Sequence, residues 1–218
     1  MGTGPLFITF EGTEGSGKST QSRILYRKLC RHGVQAVLTA EPGGTPLGLR
    51  IRALLKGRQT VPIAPASELL LFNAARAQLV ETVIRPSLLD GKVVICDRYV
   101  DSTIAYQGFG RALDLELVHT ANTLATGGLR PDLTILLDLP PGIGLGRKNS
   151  ERLDRFEVET LAFHERVRTG YLTAAACDPH RWLILDARQE QRVLGDAIWS
   201  RVCERLPLAL QARERAHS

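Results

Sequence analysis

Five short apolar runs punctuate the chain, at 6–10, 34–39, 92–96, 133–138 and 182–186. Most lack strict alternation and are rich in Val, Ile and Leu, as strands buried on both faces of a parallel sheet are. The segments between them repeat apolar residues at helical spacing. Residues 18–31 carry Ile24, Leu25 and Leu29, and 47–56 carry Leu47, Ile51, Leu54 and Leu55. Further helices are predicted over 66–89, ended by the sequence around Pro86, and over 114–126, 154–176 and 190–205. Strand–helix alternation implies right-handed crossovers and a three-layer α/β domain, a five-stranded parallel sheet flanked by helices. One domain is expected over residues 1–207, with no repeat or linker, and the segment 208–218 is expected to fray.

Composition narrows the class. The chain has 218 residues, 44% hydrophobic and 23% charged, enough for one sizeable core. No apolar run approaches the ~18 residues that a membrane span needs. The stretch Met1-Gly2-Thr3-Gly4-Pro5 has neither the basic nor the apolar region of a secretory signal. Cys30, Cys96, Cys177 and Cys203 are widely spaced, without a C-x-x-C pair, so neither a zinc ribbon nor a redox motif is indicated. A reducing, cytoplasmic setting fits this usage. The net charge of +5 raises the question of a nucleic-acid partner, but the 28 basic residues are dispersed. Arginines concentrate in 147–168, beside acids, which reads as a local phosphate-handling segment and not as a nucleic-acid footprint.

The first strand leads into Gly12, Thr13, Glu14, Gly15, Ser16, Gly17, Lys18, Ser19 and Thr20. This is G-x-x-x-x-G-K-[ST] between a predicted strand and a predicted helix, the context that marks a phosphate-binding loop. Backbone N–H groups converge on a phosphate chain there, aided by the dipole of the following helix. Lys18 can reach the β- and γ-phosphates of ATP, and the Ser19 hydroxyl can ligate Mg²⁺.

Three other strand ends carry candidate chemistry. Glu41-Pro42-Gly43-Gly44-Thr45 makes a tight turn at the carboxyl edge of the second strand, the edge where open α/β sheets bind ligands. Asp97-Arg98-Tyr99 closes the third strand. Asp97 can organise Mg²⁺, and Arg98 can take a second phosphate as a bidentate pair, which favours transfer to an acceptor over hydrolysis. A structural ion pair is the other reading of the two. Downstream, Ser102, Thr103, Tyr106 and Gln107 offer hydrogen-bonding groups at one-turn spacing. Phe72 and Arg76 share a helix face, suited to stacking on a base and donating to its carbonyl; core packing is the alternative for Phe72. The Gly/Pro-rich and then basic segment 140–153 has the composition of a mobile lid over about 141–153, or of a solvated loop.

Taken together, Phe10-Glu11-Gly12, Gly17-Lys18-Ser19-Thr20, Glu41-Pro42-Gly43-Gly44-Thr45, Asp97-Arg98-Tyr99, Ala105-Tyr106-Gln107-Gly108 and Leu153-Asp154-Arg155-Phe156-Glu157 resemble thymidylate kinases of the bacterial type. The resemblance runs from about residue 6 to about 186. It implies a P-loop NTPase fold and transfer of the γ-phosphate of ATP to dTMP, with Mg²⁺. On matching positions it implies that Lys18, Ser19 and the loop amides hold ATP, and that Asp97 serves the metal. Glu11 would lie near the acceptor sugar and phosphate, and Arg98 would grip that phosphate. Phe72 would stack on thymine, Arg76 would bond its carbonyl, and Thr103 and Gln107 would complete the base contacts, beside Ser102. Tyr106 would crowd the 2′ position. The loop carries acidic Glu14 where some relatives have arginine, so the resemblance assigns the catalytic cation to the lid, where Arg147, Arg152 and Arg155 stand. The family usually has Arg before Glu-Pro-Gly-Gly; here the residue is Ala40. A homodimer is also implied, with 66–89 at its interface. Another nucleoside monophosphate kinase and a non-kinase nucleotide switch are the competing readings, and Asp97-Arg98 speaks against the switch.

Overall fold

The computed structural model describes residues 5–57, 62–147 and 155–206. Five parallel strands lie in the order β2-β3-β1-β4-β5: β1 (Leu6–Glu11), β2 (Ala36–Ala40), β3 (Val93–Asp97), β4 (Leu133–Asp138) and β5 (Trp182–Asp186). Each falls within about two residues of its apolar run. Successive side chains of a strand point to opposite faces, and both faces are covered. On one face Ile8, Phe10, Ile95, Ile135 and Leu137 pack against α1 (Lys18–Arg31) and α9 (Gln191–Arg205) through Leu25, Leu29, Leu194, Ile198 and Val202. On the other, Phe7, Val94 and Cys96 meet Leu79 and Ile84 of the long helical segment, and Leu136 meets Val167 and Tyr171 of α8 (Leu161–Cys177). Each such fully buried aliphatic or aromatic side chain contributes roughly 1.5–3 kcal/mol.

The remaining helices complete the two outer layers. α2 (Pro46–Lys56) starts at Thr45, whose hydroxyl accepts from Gly48 N, with Pro46 in the first turn. The pattern over 66–89 is one run: α3 (Pro65–Leu79), a π-type turn (Val80–Ile84) and α4 (Arg85–Leu89). α6 (Leu115–Thr126) is capped by Asp114.

Three regions differ from the sequence expectations. Residues 100–110 form α5 (Val100–Thr103) continued by a wide π-type turn (Ile104–Gly110). The helix predicted from 154 begins at Leu161, after turns. Residues 141–146, assigned to a loop-like lid, are a short helix, α7 (Pro141–Gly146). Residues 148–153 of that segment lie outside the described residues, as does the expected tail 208–218. Three glycines in six residues disguise α7, but Gly144 needs to lack a side chain. A Cβ there would sit 2.1 Å from the Glu14 carbonyl oxygen, and one on Gly15 would sit 2.2 Å from the Gly144 carbonyl oxygen. The phosphate loop and α7 therefore touch backbone to backbone.

Candidate active site

Two clefts open at the carboxyl edge of β1 and β3, and they share Glu14, Pro42, Lys56 and Arg98. The larger, about 750 Å³, is lined by Glu14 through Thr20, the 38–44 turn, Asp97 and Arg147. Gly17, left-handed at φ 92°, turns the loop into α1. Lys18 folds back over it, its Nζ donating to Thr13 O at 2.7 Å and to Ser16 Oγ at 3.3 Å. Burial first, then the Arg98 charge, lowers its pKa to about 8. The Ser19 hydroxyl donates to Asp97 Oδ2 across the mouth of α1. A hydroxyl and a carboxylate side by side are the hard oxygen donors that Mg²⁺ takes alongside substrate phosphates.

The second cleft is small, about 30 Å³, and is lined by Phe72, Ser102, Thr103, Tyr106, Gln107 and Phe156 as well as the shared residues. By that measure it is far narrower than the first. Phe72 both lines it and packs on the edge of the core, its ring 5.8 Å from that of Phe156. Thr103 Oγ1 is buried with no hydrogen-bond partner among the described residues. A buried hydroxyl left so awaits a ligand or water.

Arg98 stands between the clefts. It is one of two described non-glycine residues at positive φ, 73°, a strained backbone of the kind that collects at functional sites. Its Nη2 donates to Glu14 Oε1 at 2.7 Å and to Tyr106 Oη at 3.2 Å. Its Nη1 donates to Gly12 O, Ser102 Oγ and Tyr171 Oη. Burial alone would raise the Glu14 pKa; the charges of Arg98 and Lys18 outweigh it and hold that carboxyl well below the usual range. Beneath this layer Glu11 is wholly buried, accepting from Tyr99 N, Ser102 Oγ and Tyr171 Oη. Burial, then the neighbouring Asp101 charge, pushes its pKa up to about 7. Glu11 lines neither cleft; it supports the residues that do.

Arg76 is the clearest departure. It is 1% exposed and lines neither cleft. Its Nε and Nη2 lie 2.8 Å from Glu41 Oε2, Nη1 donates to Asn73 and Asn122, and Nη2 also reaches Tyr99 O. The protein itself occupies the group expected to meet a base carbonyl. Among the arginines of 147–168, Arg147 Nη1 donates to Gly15 O and Ala187 O. Arg155 pairs with Glu68, and Arg166 with the carbonyls of Phe109 and Gly110. Arg168 pairs with Asp138. Only Arg147 of these reaches the donor cleft; Arg152 lies outside the described residues. Tyr171 and Glu68 were missed by sequence reasoning, since Tyr171 stands 160 residues from its partner Glu11 and carries no local motif.

The sequence profile described as thymidylate kinase matches residues 10–198. A thymidylate kinase of Dehalococcoides mccartyi strain 195 is 55% identical over 197 residues, 90% of this chain and 95% of its own. One from Roseiflexus sp. RS-1 is 48% identical over 88% of this chain and 91% of its own. The crystal structure of thymidylate kinase from Ehrlichia chaffeensis superposes with a TM-score of 0.75 at 37% identity, covering 91% of this chain and 99% of that one. The chain belongs to the thymidylate kinase family.

Proposed function

We propose the following division of labour for the ATP-dependent phosphorylation of dTMP that this family membership entails. ATP lies in the larger cleft, its phosphates on the loop amides and Lys18. Ser19 and Asp97 would hold Mg²⁺, which would supply positive charge against the phosphates of ATP. The dTMP base enters the small cleft against Phe72, and its phosphate displaces Glu14 from Arg98. The observation that carries this reading is the placement of Arg98 between the two clefts, paired with a carboxylate of the phosphate loop. An oxygen of the acceptor phosphate attacks the γ-phosphorus in line as the bond to the ADP oxygen breaks. The attacking oxygen is already anionic, so no general base is required. Positioning and charge stabilisation supply the rate. Arg147 belongs to this charge set because it borders the donor cleft; Arg152 joins it on the family resemblance alone.

One catalytic domain through residue 207, with a lid over about 141–153, is part of the same reading. So are a cytoplasmic location, absence of a nucleic-acid partner, and a homodimer. Among the described residues no helix is long and apolar enough to cross a membrane. Exposed Leu70 on α3, with Leu117 and Leu124 on the adjacent α6, supports the dimer.

The test is ADP release with ATP, Mg²⁺ and a panel of nucleoside monophosphates. dTMP is expected to give the fastest release. Release no faster with dTMP than with water alone would overturn the reading.

A further inference from the structure

Glu68, on α3, is completely buried and stands outside the lining of the small cleft, one hydrogen bond from Gln107. Its Oε1 accepts from Gln107 Nε2 at 2.7 Å and from Arg111 Nε at 3.2 Å. Its Oε2 accepts from Arg111 Nη2 at 3.2 Å and from Arg155 Nη2. Arg111 is held in turn by Glu159 at 2.6 Å. Two arginines thus brace one carboxylate from two sides.

The consequence falls on Gln107. An amide end has one donor group and one acceptor, and ordinarily either can face a ligand. A carboxylate only accepts, so the Gln107 nitrogen must face Glu68. The carbonyl oxygen is left on the other side of the planar amide, and no donor among the described residues reaches it. Gln107 is 1% exposed and lines the small cleft beside Thr103, whose buried hydroxyl also lacks a partner. The cleft therefore presents a fixed acceptor next to a hydroxyl that can donate or accept.

We propose that Glu68 is a positioning residue for base selection: it locks the Gln107 amide with its oxygen toward the substrate, so that the cleft takes pyrimidines carrying a proton on N3. This rests on the reading that the base occupies the small cleft. Thymine and uracil present N3–H to such an acceptor. Cytosine presents a lone pair, and two acceptors left facing each other are strongly disfavoured. Thymine and uracil are not distinguished by this device.

The experiment compares 5-bromo-dUMP with dTMP on the full chain between pH 7 and 9.5. The bromine makes N3–H more acidic than in dTMP, and the ratio of the two kcat/KM values cancels titrations of the enzyme itself. In the parent protein the 5-bromo-dUMP to dTMP ratio is expected to fall roughly tenfold or more as N3 ionises, the range typical of a lost substrate hydrogen bond. In Glu68→Gln the amide can turn and donate to the ionised N3, so the fall is expected to shrink to within about twofold, and discrimination against 5-methyl-dCMP to narrow alongside. Glu68→Asp, whose shorter carboxylate withdraws from the amide, serves with the same two readings if Glu68→Gln does not fold. A flat ratio in the parent, or the same fall in parent and variant, overturns the proposal. Failure of the underlying reading looks different: Phe72→Ala, which strips one wall of the small cleft, would leave KM for dTMP unchanged.

Discussion

Arg76 and Arg98 each meet a glutamate, at 2.8 and 2.7 Å, and both were expected at the acceptor site. Their surroundings differ in kind. Arg76 is sealed: 1% exposed, with Glu41, two asparagines and a carbonyl taking its donors, and it lines neither cleft. Arg98 borders two clefts, and several of its partners are hydroxyls of Ser102, Tyr106 and Tyr171 that can exchange one acceptor for another. The same pair of residue types is sealed into the scaffold in one place and set between two clefts in the other. What separates them is whether an incoming anion could replace the glutamate. Glu14 sits on a glycine-rich loop at the wall of both clefts, whereas Glu41 stands at the end of β2, hydrogen-bonded through its own N–H to Asp97 O.

The largest effect should come from Arg98→Met. Losing the guanidinium at the transfer site should lower kcat/KM for dTMP by about 10³-fold, with ATP affinity changed far less. Steady-state kinetics and ATP titration check this; equal losses for both substrates would dissolve the contrast with Arg76. Next, Arg76→Met leaves Glu41 buried and unpaired, and should cost about 3–5 kcal/mol of stability in urea unfolding. A normal unfolding midpoint with a raised KM for dTMP would instead put Arg76 back at the base.

The smallest effect concerns the layer beneath Arg98. Glu11 keeps its proton in the folded state up to about pH 7, whereas in the unfolded chain it ionises near its ordinary value of 4.5. Between those values the unfolded state binds fewer protons, so the stability from this group is full below 4.5 and is lost as pH rises through 7. The total is on the order of 3 kcal/mol. Glu11→Gln should remove that slope, so that variant and parent converge or cross between pH 4.5 and 7 in denaturation series. Parallel curves would show that Glu11 is ionised throughout, its Arg98 neighbour outweighing burial.

The sheet was legible because its signal is local. Each strand is a contiguous apolar run, and the phosphate loop is a contiguous motif whose flanking elements can be checked. Phe72, Thr103 and Gln107 were placed together by helical spacing and by resemblance, and the fold does bring them to one cleft. What escaped was pairing over distance. Glu14 meets Arg98 across 84 residues, and Glu68 meets Gln107 across 39. Nothing in either segment specifies the partner; only the β1–β3 pairing and the packing of α3 against the π-type turn Ile104–Gly110 do. Arg76 shows the converse: helical spacing put it on a plausible face, but spacing cannot reveal that Asn122, 46 residues on, already claims it. α7 escaped for a different reason, since glycine and proline are poor helix formers and its conformation is set by what it leans on.

That leaning has a further meaning. At residue 14 a single peptide unit has two neighbours: its carbonyl oxygen abuts Gly144 with no room for a methyl group, and its side chain holds Arg98. A tilt of α7 cannot be absorbed by a side chain changing rotamer, because no side chain lies between. It must travel into the phosphate loop and onto the carboxylate paired with Arg98. The segment after β4 is in this sense geared to both clefts through one residue.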